Sequence, residues 1–316
     1  MNILVTGAAG FLGSHLSEAL LRQGHHVIGV DNFLTGSKRN LRYLKHPNFK
    51  FVEADVCEKQ VWNINLDRIY YLSSPASPID YIDLPLETLF VGSYGCHNYL
   101  ELARETGARF LLTSTSEVYG DPSIHPQPES YWGNVNPIGP RSVYDESKRY
   151  AEALTMAYHR SKGVETRIAR LFNTYGPRMR HNDGRVIPNF ITQALQKKSL
   201  TIFGDGSQTR SFCFCTDLIQ GLIVLMEGEK AEPYNLGTTN EMNMISLAET
   251  INRLTNNPAG VTHKPLPKDD PTKRRPDLTK AKRDLNWNPT ISFEDGLSQT
   301  IEYFSQLLRE DPSTIY

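Results

Sequence analysis

Short apolar runs alternate with amphipathic stretches through the first half of the chain. The apolar runs predict strands at Ile3–Thr6, Val27–Val30, Phe49–Glu53, Arg68–Leu72, Arg109–Thr113 and Glu165–Arg170. The stretches between them space their apolar residues as helices do, and predict helices at Leu12–Gln23, Leu86–Thr106 and Val143–Lys162. Strands that alternate with helices in this way are typical of an α/β protein with a parallel, doubly wound, Rossmann-like sheet.

The pattern changes after about Asn173, where turns become denser and a charged loop, Pro265–Asp277, interrupts the apolar spacing. Three more helices are predicted in this half, at Ile187–Lys197, Ile245–Thr255 and Phe293–Arg309. We therefore predict a Rossmann domain over residues 1–175 and a smaller C-terminal domain over residues 176–316. The chain is expected to re-enter the sheet in part after it leaves the first domain.

Composition argues against several classes of function. The chain has 316 residues with 34 Lys and Arg against 35 Asp and Glu, so no net field draws it to nucleic acid or to a membrane surface. No apolar run is long enough to span a bilayer, and the first residues enter a strand pattern without a basic leader. We therefore expect a cytoplasmic protein that binds neither nucleic acid nor membrane.

The cysteines show no spacing typical of disulfides or of a metal site. There are four of them, at Cys57, Cys96, Cys213 and Cys215. Free thiols in a reducing compartment are expected. Cys213 and Cys215 are two residues apart, and we interpret them as small residues on one face of a buried strand. No metal site is expected.

A glycine motif follows the first predicted strand and opens the first predicted helix. Gly7, Gly10 and Gly13 allow a tight turn and a close approach of a dinucleotide's pyrophosphate, and Phe11 and Leu12 begin the helix. The unpaired N–H groups of a helix N-terminus favour phosphate binding. The spacing is one residue longer in its first gap than in the usual fingerprint, but its place between strand and helix predicts a dinucleotide site.

Asp31 ends the second predicted strand and indicates which dinucleotide binds. A carboxylate there accepts hydrogen bonds from the adenosine ribose and repels a 2′-phosphate, which favours NAD over NADP. Asp55 and Val56 follow the third strand, where an adenine ring would lie. The other residues that we expect to contact NAD are Asn32, Phe33, Thr35, Gly36, Leu72, Ser74, Thr113 and Thr174.

Tyr144 and Lys148 carry the predicted chemistry. They are four residues apart in the third predicted helix, so both side chains lie on the same side of it. A lysine ammonium beside a phenol favours the phenolate and lowers the phenol's pKa, whose ordinary value is roughly 10. Such a phenol can act as a base near neutral pH. Thr115 follows the fifth strand and is expected to bridge the phenol and a substrate.

These motifs resemble the extended short-chain dehydrogenase/reductase family of nucleotide-sugar enzymes, and the resemblance covers nearly the whole chain. It rests on Gly7–Gly13, Asp31 and the pair Tyr144 and Lys148. It implies that NAD accepts a hydride from a sugar hydroxyl while Tyr144, Lys148 and Thr115 exchange the hydroxyl proton. The resemblance also implies that Tyr144 and Lys148 contact NAD.

Within that family, Ser116 and Glu117 resemble the UDP-glucuronate decarboxylases, also called UDP-xylose synthases. Further stretches resemble the same enzymes, at residues 72–78, 125–127, 131–139, 170–179 and 273–277. The resemblance implies NAD-dependent decarboxylation of UDP-glucuronate to UDP-xylose through a 4-keto intermediate. It further implies that Thr115, Ser116 and Glu117 are catalytic, as is Arg274, with Arg275 as a near rival. The family expectation is a homodimer formed through helices at about 84–106 and 143–162.

Substrate contacts are expected mainly from the second half of the chain. Asn173 resembles the family asparagine that contacts the diphosphate of the nucleotide sugar, and Arg185 and Arg210 are candidates for phosphate or uridine. Ser116, Glu117, Tyr144 and Arg274 complete the predicted substrate site. We expect Glu117 either to orient the departing carboxylate or to help protonate C5.

Two positions depart from the decarboxylase pattern. Phe90 stands where relatives usually have lysine, and Gly92 stands where they usually have asparagine. Two alternatives therefore remain open. The first is a nucleotide-sugar 4,6-dehydratase or 4-epimerase of the same family. The second, of a different class, is a non-catalytic protein that binds NAD or a nucleotide sugar.

Overall fold

A computed structural model describes residues 1–265 and 273–310 of the chain. Part of the predicted charged loop Pro265–Asp277, residues 266–272, lies outside the described residues. The strands in chain order are β1 (Asn2–Thr6), β2 (His26–Asp31), β3 (Phe49–Glu53), β4 (Arg68–Tyr71), β5 (Arg109–Thr115), β6 (Thr166–Leu171), β7 (Thr174–Tyr175), β8 (Leu200–Phe203), β9 (Thr209–Ser211), β10 (Cys213–Phe214), β11 (Pro233–Leu236), β12 (Glu241–Asn243), β13 (Val261–Lys264) and β14 (Lys273–Arg274).

The helices also follow in chain order, with a short π-helical turn, Val91–Gly95, joining the third to the fourth. Two 3₁₀ turns are present at Asn40–Leu44 and Ser116–Tyr119. The α-helices are α1 (Phe11–Arg22), α2 (Pro78–Asp83), α3 (Pro85–Phe90), α4 (Cys96–Thr106), α5 (Ser142–Lys162), α6 (Val186–Leu195), α7 (Cys215–Glu227), α8 (Met244–Thr255), α9 (Thr279–Leu285) and α10 (Phe293–Glu310).

The main sheet has seven parallel strands in the order β11-β6-β5-β4-β1-β2-β3. The six strands predicted from the sequence are confirmed, and with them the Rossmann-like fold class. β11 was not predicted; it brings the chain back to the sheet beside β6. Smaller sheets pair β10 with β7, β13 with β8, and β12 and β14 with β9.

Helices cover both faces of the main sheet, as parallel sheets require. On one face, Leu16 of α1 and Leu222 of α7 pack in a common core with Ile3 of β1. On the other face, Leu100 of α4 and Ala151 of α5 pack in a second core. A third core lies among α6, α8 and α10, and it includes Phe190, Leu247 and Phe304.

The predicted helix Leu86–Thr106 is helical, but it is divided into α3, the π-helical turn and α4. Tyr71 gives part of the physical reason for the wide turn. Its hydroxyl donates to the carbonyl oxygen of Val91 at 2.6 Å, and a side chain at Gly95 would collide with that hydroxyl. A side-chain group that inserts into a helix in this way widens it locally, and such turns are frequent at functional sites.

The prediction that Cys213 and Cys215 share one face of a strand is wrong. Cys213 lies in β10, but Cys215 begins α7. Helix α7 was itself missed, because a short run that is apolar on most sides can form either a buried helix or a buried strand. All four cysteines are free thiols.

Two properties of the described residues limit the search for function. No cluster of three or more metal-ligating side chains occurs in the part of the chain that the structure describes. Within residues 1–265 and 273–310, no helix combines the length and the apolar run needed to cross a bilayer.

Candidate active site

A cavity of about 1000 Å³ opens at the carboxyl ends of the parallel strands. Gly7 follows β1 in its wall, Asp31 ends β2, and Thr115 ends β5. Its far side is formed by Arg210 and Arg274, from the small sheet of β9, β12 and β14. Ligands of doubly wound sheets bind at this edge. The cavity is therefore the candidate active site.

The glycine turn after β1 has the geometry that a dinucleotide's pyrophosphate requires. Gly7 has a φ of +67°, a left-handed conformation that favours glycine. A side chain on Gly13 would collide with the carbonyl oxygen of Gly7, so the turn and α1 are in close backbone contact. The turn therefore leaves the N-terminus of α1 open to the cavity, as phosphate binding needs.

The Asp31 carboxylate organises the next part of the wall. Its oxygens accept hydrogen bonds from the N–H groups of Ala9, at 2.9 Å, and Phe33, at 2.8 Å. Burial raises the pKa of Asp31, and hydrogen bonds from backbone N–H groups oppose that rise. A Cβ at Gly36 would lie 2.7 Å from a carboxylate oxygen, so glycine there keeps the carboxylate accessible. This arrangement suits a ribose with free hydroxyl groups.

Phe33 is the one predicted cofactor-binding residue that does not line the cavity. Its φ is +59°, and its ring packs against Phe51, with 5.2 Å between the ring centroids. Phe33 is not among the residues that line the cavity. What it contributes to the site is its backbone N–H, which holds Asp31.

Tyr144 and Lys148 lie side by side at the cavity floor, on the first turns of α5. Lys148 Nζ donates to the carbonyl oxygen of Thr113 at 3.0 Å and lies 5.9 Å from the centroid of the Tyr144 ring. The Tyr144 ring stacks on Tyr81, with 5.1 Å between centroids and 8° between planes. Stacking and the lysine contact hold the phenol in one orientation.

The predicted lowering of the Tyr144 pKa by Lys148 is not found. Burial raises the pKa of Tyr144 to about 12, and the hydrogen bond with the Thr115 hydroxyl only partly opposes this. Burial also lowers the pKa of Lys148 to about 8, so its charge is itself costly in this site. Burial dominates the pKa of Tyr144, and the spacing of Tyr144 and Lys148 in sequence could not show how deeply the phenol is buried.

Glu117 is held by two arginines. Its carboxylate accepts a bidentate pair of hydrogen bonds from Arg274, at 2.6 and 2.8 Å, and a third from Arg141 at 3.0 Å. Burial opposes ionisation of Glu117, but the charges of Arg274 and Arg141 outweigh burial and keep its pKa below the ordinary value. The side chain is 14% exposed and faces the cavity. A buried, ionised carboxylate thus lies beside the predicted base.

Arg274, and not Arg275, points to the site. Arg274 is buried and lines the cavity. The backbone N–H of Arg275 donates to the side-chain oxygen of Gln127 at 2.9 Å, and its guanidinium lies 3.9 Å from Glu241. Arg275 follows the end of β14 and its guanidinium lies toward Glu241, so of the two arginines it is Arg274 that contacts Glu117.

Sequence reasoning missed Arg141 and Asp145. Arg141 precedes α5, and Asp145 directly follows Tyr144, so their positions beside the predicted base were the available signal. Asp145 is buried, and one of its oxygens has no hydrogen-bond partner. Burial and the nearby charge of Glu117 raise the pKa of Asp145 to about 7. The pKa values of the two neighbouring carboxyl groups are thus shifted in opposite directions, that of Glu117 downward and that of Asp145 upward.

The opposite wall presents nitrogen donors to the cavity. The side-chain amide nitrogen of Asn173 is buried and has no hydrogen-bond partner. Arg185 is paired with Asp183 through two hydrogen bonds, the longer of them 2.8 Å. Arg210 is buried, and its guanidinium donates to the carbonyl oxygen of Thr209 at 2.9 Å. An unpaired amide beside two guanidinium groups suits a ligand with phosphate oxygens.

Comparisons with known proteins agree with this geometry. The family model described as GDP-mannose 4,6 dehydratase matches residues 4–300. UDP-glucuronic acid decarboxylase 1 of Arabidopsis thaliana is 51% identical over 98% of this chain and 72% of its own length. Its namesake from Danio rerio is 50% identical over 99% of this chain and 75% of its own length. The chain belongs to the UDP-glucuronic acid decarboxylase family.

A solved structure of an epimerase shares the fold at lower identity. The UDP-glucuronic acid 4-epimerase from Bacillus cereus, in complex with UDP-glucuronic acid and NAD, has a TM-score of 0.83 to this chain. The two sequences are 30% identical, and the match covers 97% of this chain and 100% of the epimerase chain. The predicted resemblance to decarboxylases within the extended short-chain dehydrogenase/reductase family is thus confirmed.

The cavity brings together every predicted site residue except Phe33. Toward α1 and the ends of β2 to β5 it is lined by Gly7, Gly10, Phe11, Leu12, Gly13, Asp31, Asn32, Thr35, Gly36, Asp55, Val56, Leu72, Ser74 and Thr113. The remainder of the wall includes Thr115, Ser116, Glu117, Tyr144, Lys148, Asn173, Thr174, Arg185, Arg210 and Arg274. Their roles in this decarboxylase-family member stay predictions.

Replacing Arg274 tests the electrostatics of the site. Arg274→Met leaves the buried Glu117 with less positive charge, and we expect a loss of roughly 3 kcal/mol in the free energy of unfolding. The pKa of Glu117 is held below 4.5, so the wild-type pair stabilises the fold fully above that pH. This contribution is lost as the pH falls through the folded-state pKa. The difference between the proteins should therefore be largest near neutral pH and narrow in acid.

Urea unfolding of both proteins across that pH range measures the effect. Arg275→Met is the matched control, because its side chain is 37% exposed and lies outside the cavity wall. A pH-independent loss for Arg274→Met, or an equal loss for the control, would contradict the electrostatic assignment.

Proposed function

We propose that this protein decarboxylates UDP-glucuronate to UDP-xylose, with one bound NAD that is recycled in each turnover. The observation that carries the proposal is the buried carboxylate of Glu117, which bridges Arg274 and Arg141 next to Tyr144. A simple dehydrogenase needs the tyrosine and lysine but has no use for this cluster. A decarboxylase must handle a sugar carboxylate at this place.

The chemistry explains why a redox pair and a carboxylate site occur together. A carboxylate on a saturated carbon does not leave readily, because the electrons of the breaking C–C bond have no acceptor. Oxidation of the C4 hydroxyl creates a ketone two carbons from the carboxylate, and those electrons can then move to the ketone oxygen. NAD held by the glycine turn and Asp31 would supply this oxidation as a hydride acceptor, and as a hydride donor once carbon dioxide has left.

Tyr144 is assigned to the proton of the C4 hydroxyl. Its phenolic oxygen takes that proton as the hydride leaves, and Thr115 shares a hydrogen bond with it. The phenol then donates a hydrogen bond to the enolate oxygen that forms when the carboxylate departs. Lys148 holds the phenol's position, and its cation favours the phenolate in the transition state. The same phenol returns the proton when C4 is reduced.

The sugar carboxylate is proposed to bind beside three side chains, those of Glu117, Ser116 and Arg274. The guanidinium fork of Arg274 binds one carboxylate in the ligand-free protein, and a second carboxylate from the substrate would compete for it. Two carboxylates close together disfavour each other's ionisation, which raises the pKa of Glu117 and favours loss of neutral carbon dioxide. A protonated Glu117 is then a proton source for C5.

The two predicted parts of the chain are proposed to divide the ligands between them. Residues 1–175 would mainly hold NAD through the glycine turn and Asp31. Residues 176–316 would mainly hold the nucleotide sugar, with Arg185 and Arg210 near its phosphates or uridine. Asn173, whose amide nitrogen lacks a partner, is suited to the diphosphate.

A direct assay tests this function. UDP-glucuronate and NAD are incubated with the protein, and carbon dioxide and the sugar product are followed. We expect carbon dioxide and UDP-xylose in equal amounts from the wild type and neither from Tyr144→Phe, which lacks the base. Turnover of UDP-glucose to UDP-galactose without any action on UDP-glucuronate would overturn the proposal. Binding of both ligands with no turnover would instead indicate the non-catalytic alternative.

Glu117→Gln separates the two chemical steps. The amide cannot carry a proton to C5 or repel the sugar carboxylate, but it leaves Tyr144 and NAD in place. We expect carbon loss to slow more than hydride transfer, so that 4-keto sugar and NADH accumulate. The measurement is a single-turnover time course of NADH absorbance and carbon dioxide. Equal slowing of both steps would assign Glu117 to general positioning.

We also propose a homodimer in the cytoplasm. The face of α3 and the π-helical turn exposes Leu86, Phe90 and Tyr94, at 59%, 43% and 62%, and an apolar patch of this kind is typical of an interface. Light scattering is expected to give twice the mass of the chain, and a monomer would contradict the dimer. The free thiols suit a reducing compartment, which cell fractionation would test.

A further inference from the structure

Gly92 lies where the π-helical turn crosses α5, and any larger residue there would force Ser147 to shift. A Cβ at this position would lie 2.7 Å from the backbone carbonyl oxygen of Ser147 and would collide with the Ser147 hydroxyl. Glycine costs about 1 kcal/mol in a helix interior relative to alanine. The close contact between the two helices explains why glycine is present at position 92 despite this cost. It also explains why this chain lacks the asparagine that the family resemblance leads one to expect there.

The Ser147 hydroxyl makes a specific contact across this crossing. It is buried and donates to the carbonyl oxygen of Thr88 in α3 at 2.7 Å. The neighbouring carbonyl of Val91 receives the Tyr71 hydroxyl at 2.6 Å. Hydroxyl groups from outside the helix thus bind two carbonyls, those of Thr88 and Val91, in the stretch that leads to Gly92, where the wide turn disturbs the ordinary ladder of hydrogen bonds.

This contact lies on the catalytic face of α5. Tyr144, Ser147 and Lys148 are spaced by three and four residues, so they share one side of the helix. One residue beyond Ser147, Lys148 Nζ donates to the carbonyl oxygen of Thr113 in β5. Any rotation or sliding of α5 against the π-helical turn would therefore move the phenol and the ammonium together, relative to Thr115 and the sugar.

We propose that Ser147 is a positioning residue for the reaction and that Gly92 is its obligatory partner. The serine hydroxyl occupies the space of the missing side chain at position 92 and fixes the register of α5 through the carbonyl of Thr88. It touches neither substrate nor cofactor and acts through Tyr144 and Lys148. The catalytic part of this inference rests on the proposed decarboxylase function.

Ser147→Ala tests the positioning role. We expect kcat for decarboxylation to fall by about ten- to a hundredfold, because a misplacement of about 1 Å can cost about 10²-fold. The KM for UDP-glucuronate and the amount of bound NAD should stay unchanged, since Ser147 lines no part of the cavity. Ser93→Ala is the matched control: its hydroxyl donates to Leu89 in the same turn, at 2.7 Å, without reaching α5.

A double-mutant cycle of melting temperatures tests the contact without any substrate. Gly92→Ala alone should lower the melting temperature strongly. The same change in a Ser147→Gly background should cost less, because the hydroxyl is gone and only the backbone contact remains. The four proteins are wild type, both single variants and the double variant, all measured in the same buffer with and without NAD.

The outcomes separate this inference from the function on which it rests. If the wild type does not act on UDP-glucuronate, the proposed function fails, while the melting cycle still reports on the contact. Additive shifts in melting temperature, or a Gly92→Ala protein as stable as the wild type, would overturn the proposal that Gly92 is the obligatory partner of Ser147. An unchanged kcat in Ser147→Ala, or equal losses in Ser147→Ala and Ser93→Ala, would overturn the positioning role.

Discussion

The site depends on one largely buried carboxylate, that of Glu117, which is shared by Arg274 and Arg141. The two arginines come from opposite parts of the chain: Arg141 precedes α5, and Arg274 lies in β14 of a small separate sheet. The carboxylate therefore joins the element that carries Tyr144 to the wall that faces the nucleotide sugar. A buried charge without its partners would be costly, so the fold must deliver all three side chains to one place.

The phenol's environment explains why the parts must act together. Burial raises the pKa of Tyr144 to about 12, so loss of the phenol's proton is costly in these surroundings. The stacked Tyr81 ring orients the phenol, and the Thr115 hydroxyl shares a hydrogen bond with it. In the proposed reaction, loss of the phenol's proton is therefore coupled to a correctly placed substrate.

The sequence predicted the parts that follow from local patterns. Alternating strands and helices gave the six strands of the parallel sheet, and the glycine turn, Asp31 and the pair Tyr144 and Lys148 pointed to one cavity. Features that depend on contacts between distant segments were not predictable. Burial reversed the expected shift in the phenol's pKa, Arg141 entered the site from the residue before α5, and α7 was not predicted at all. The ring of Phe33 packs against Phe51 and does not line the cavity, while its backbone N–H donates to Asp31.

The proposed function requires that the hydride removed from C4 return to the same carbon after the carboxylate has left. The most direct measurement uses UDP-glucuronate with deuterium at C4 in ordinary water, and unlabelled substrate in heavy water, with the product read by mass spectrometry and NMR. We expect UDP-xylose that keeps its C4 deuterium, and one solvent deuterium at C5. Loss of the C4 label to the added NAD pool, or product without solvent deuterium at C5, would contradict the mechanism.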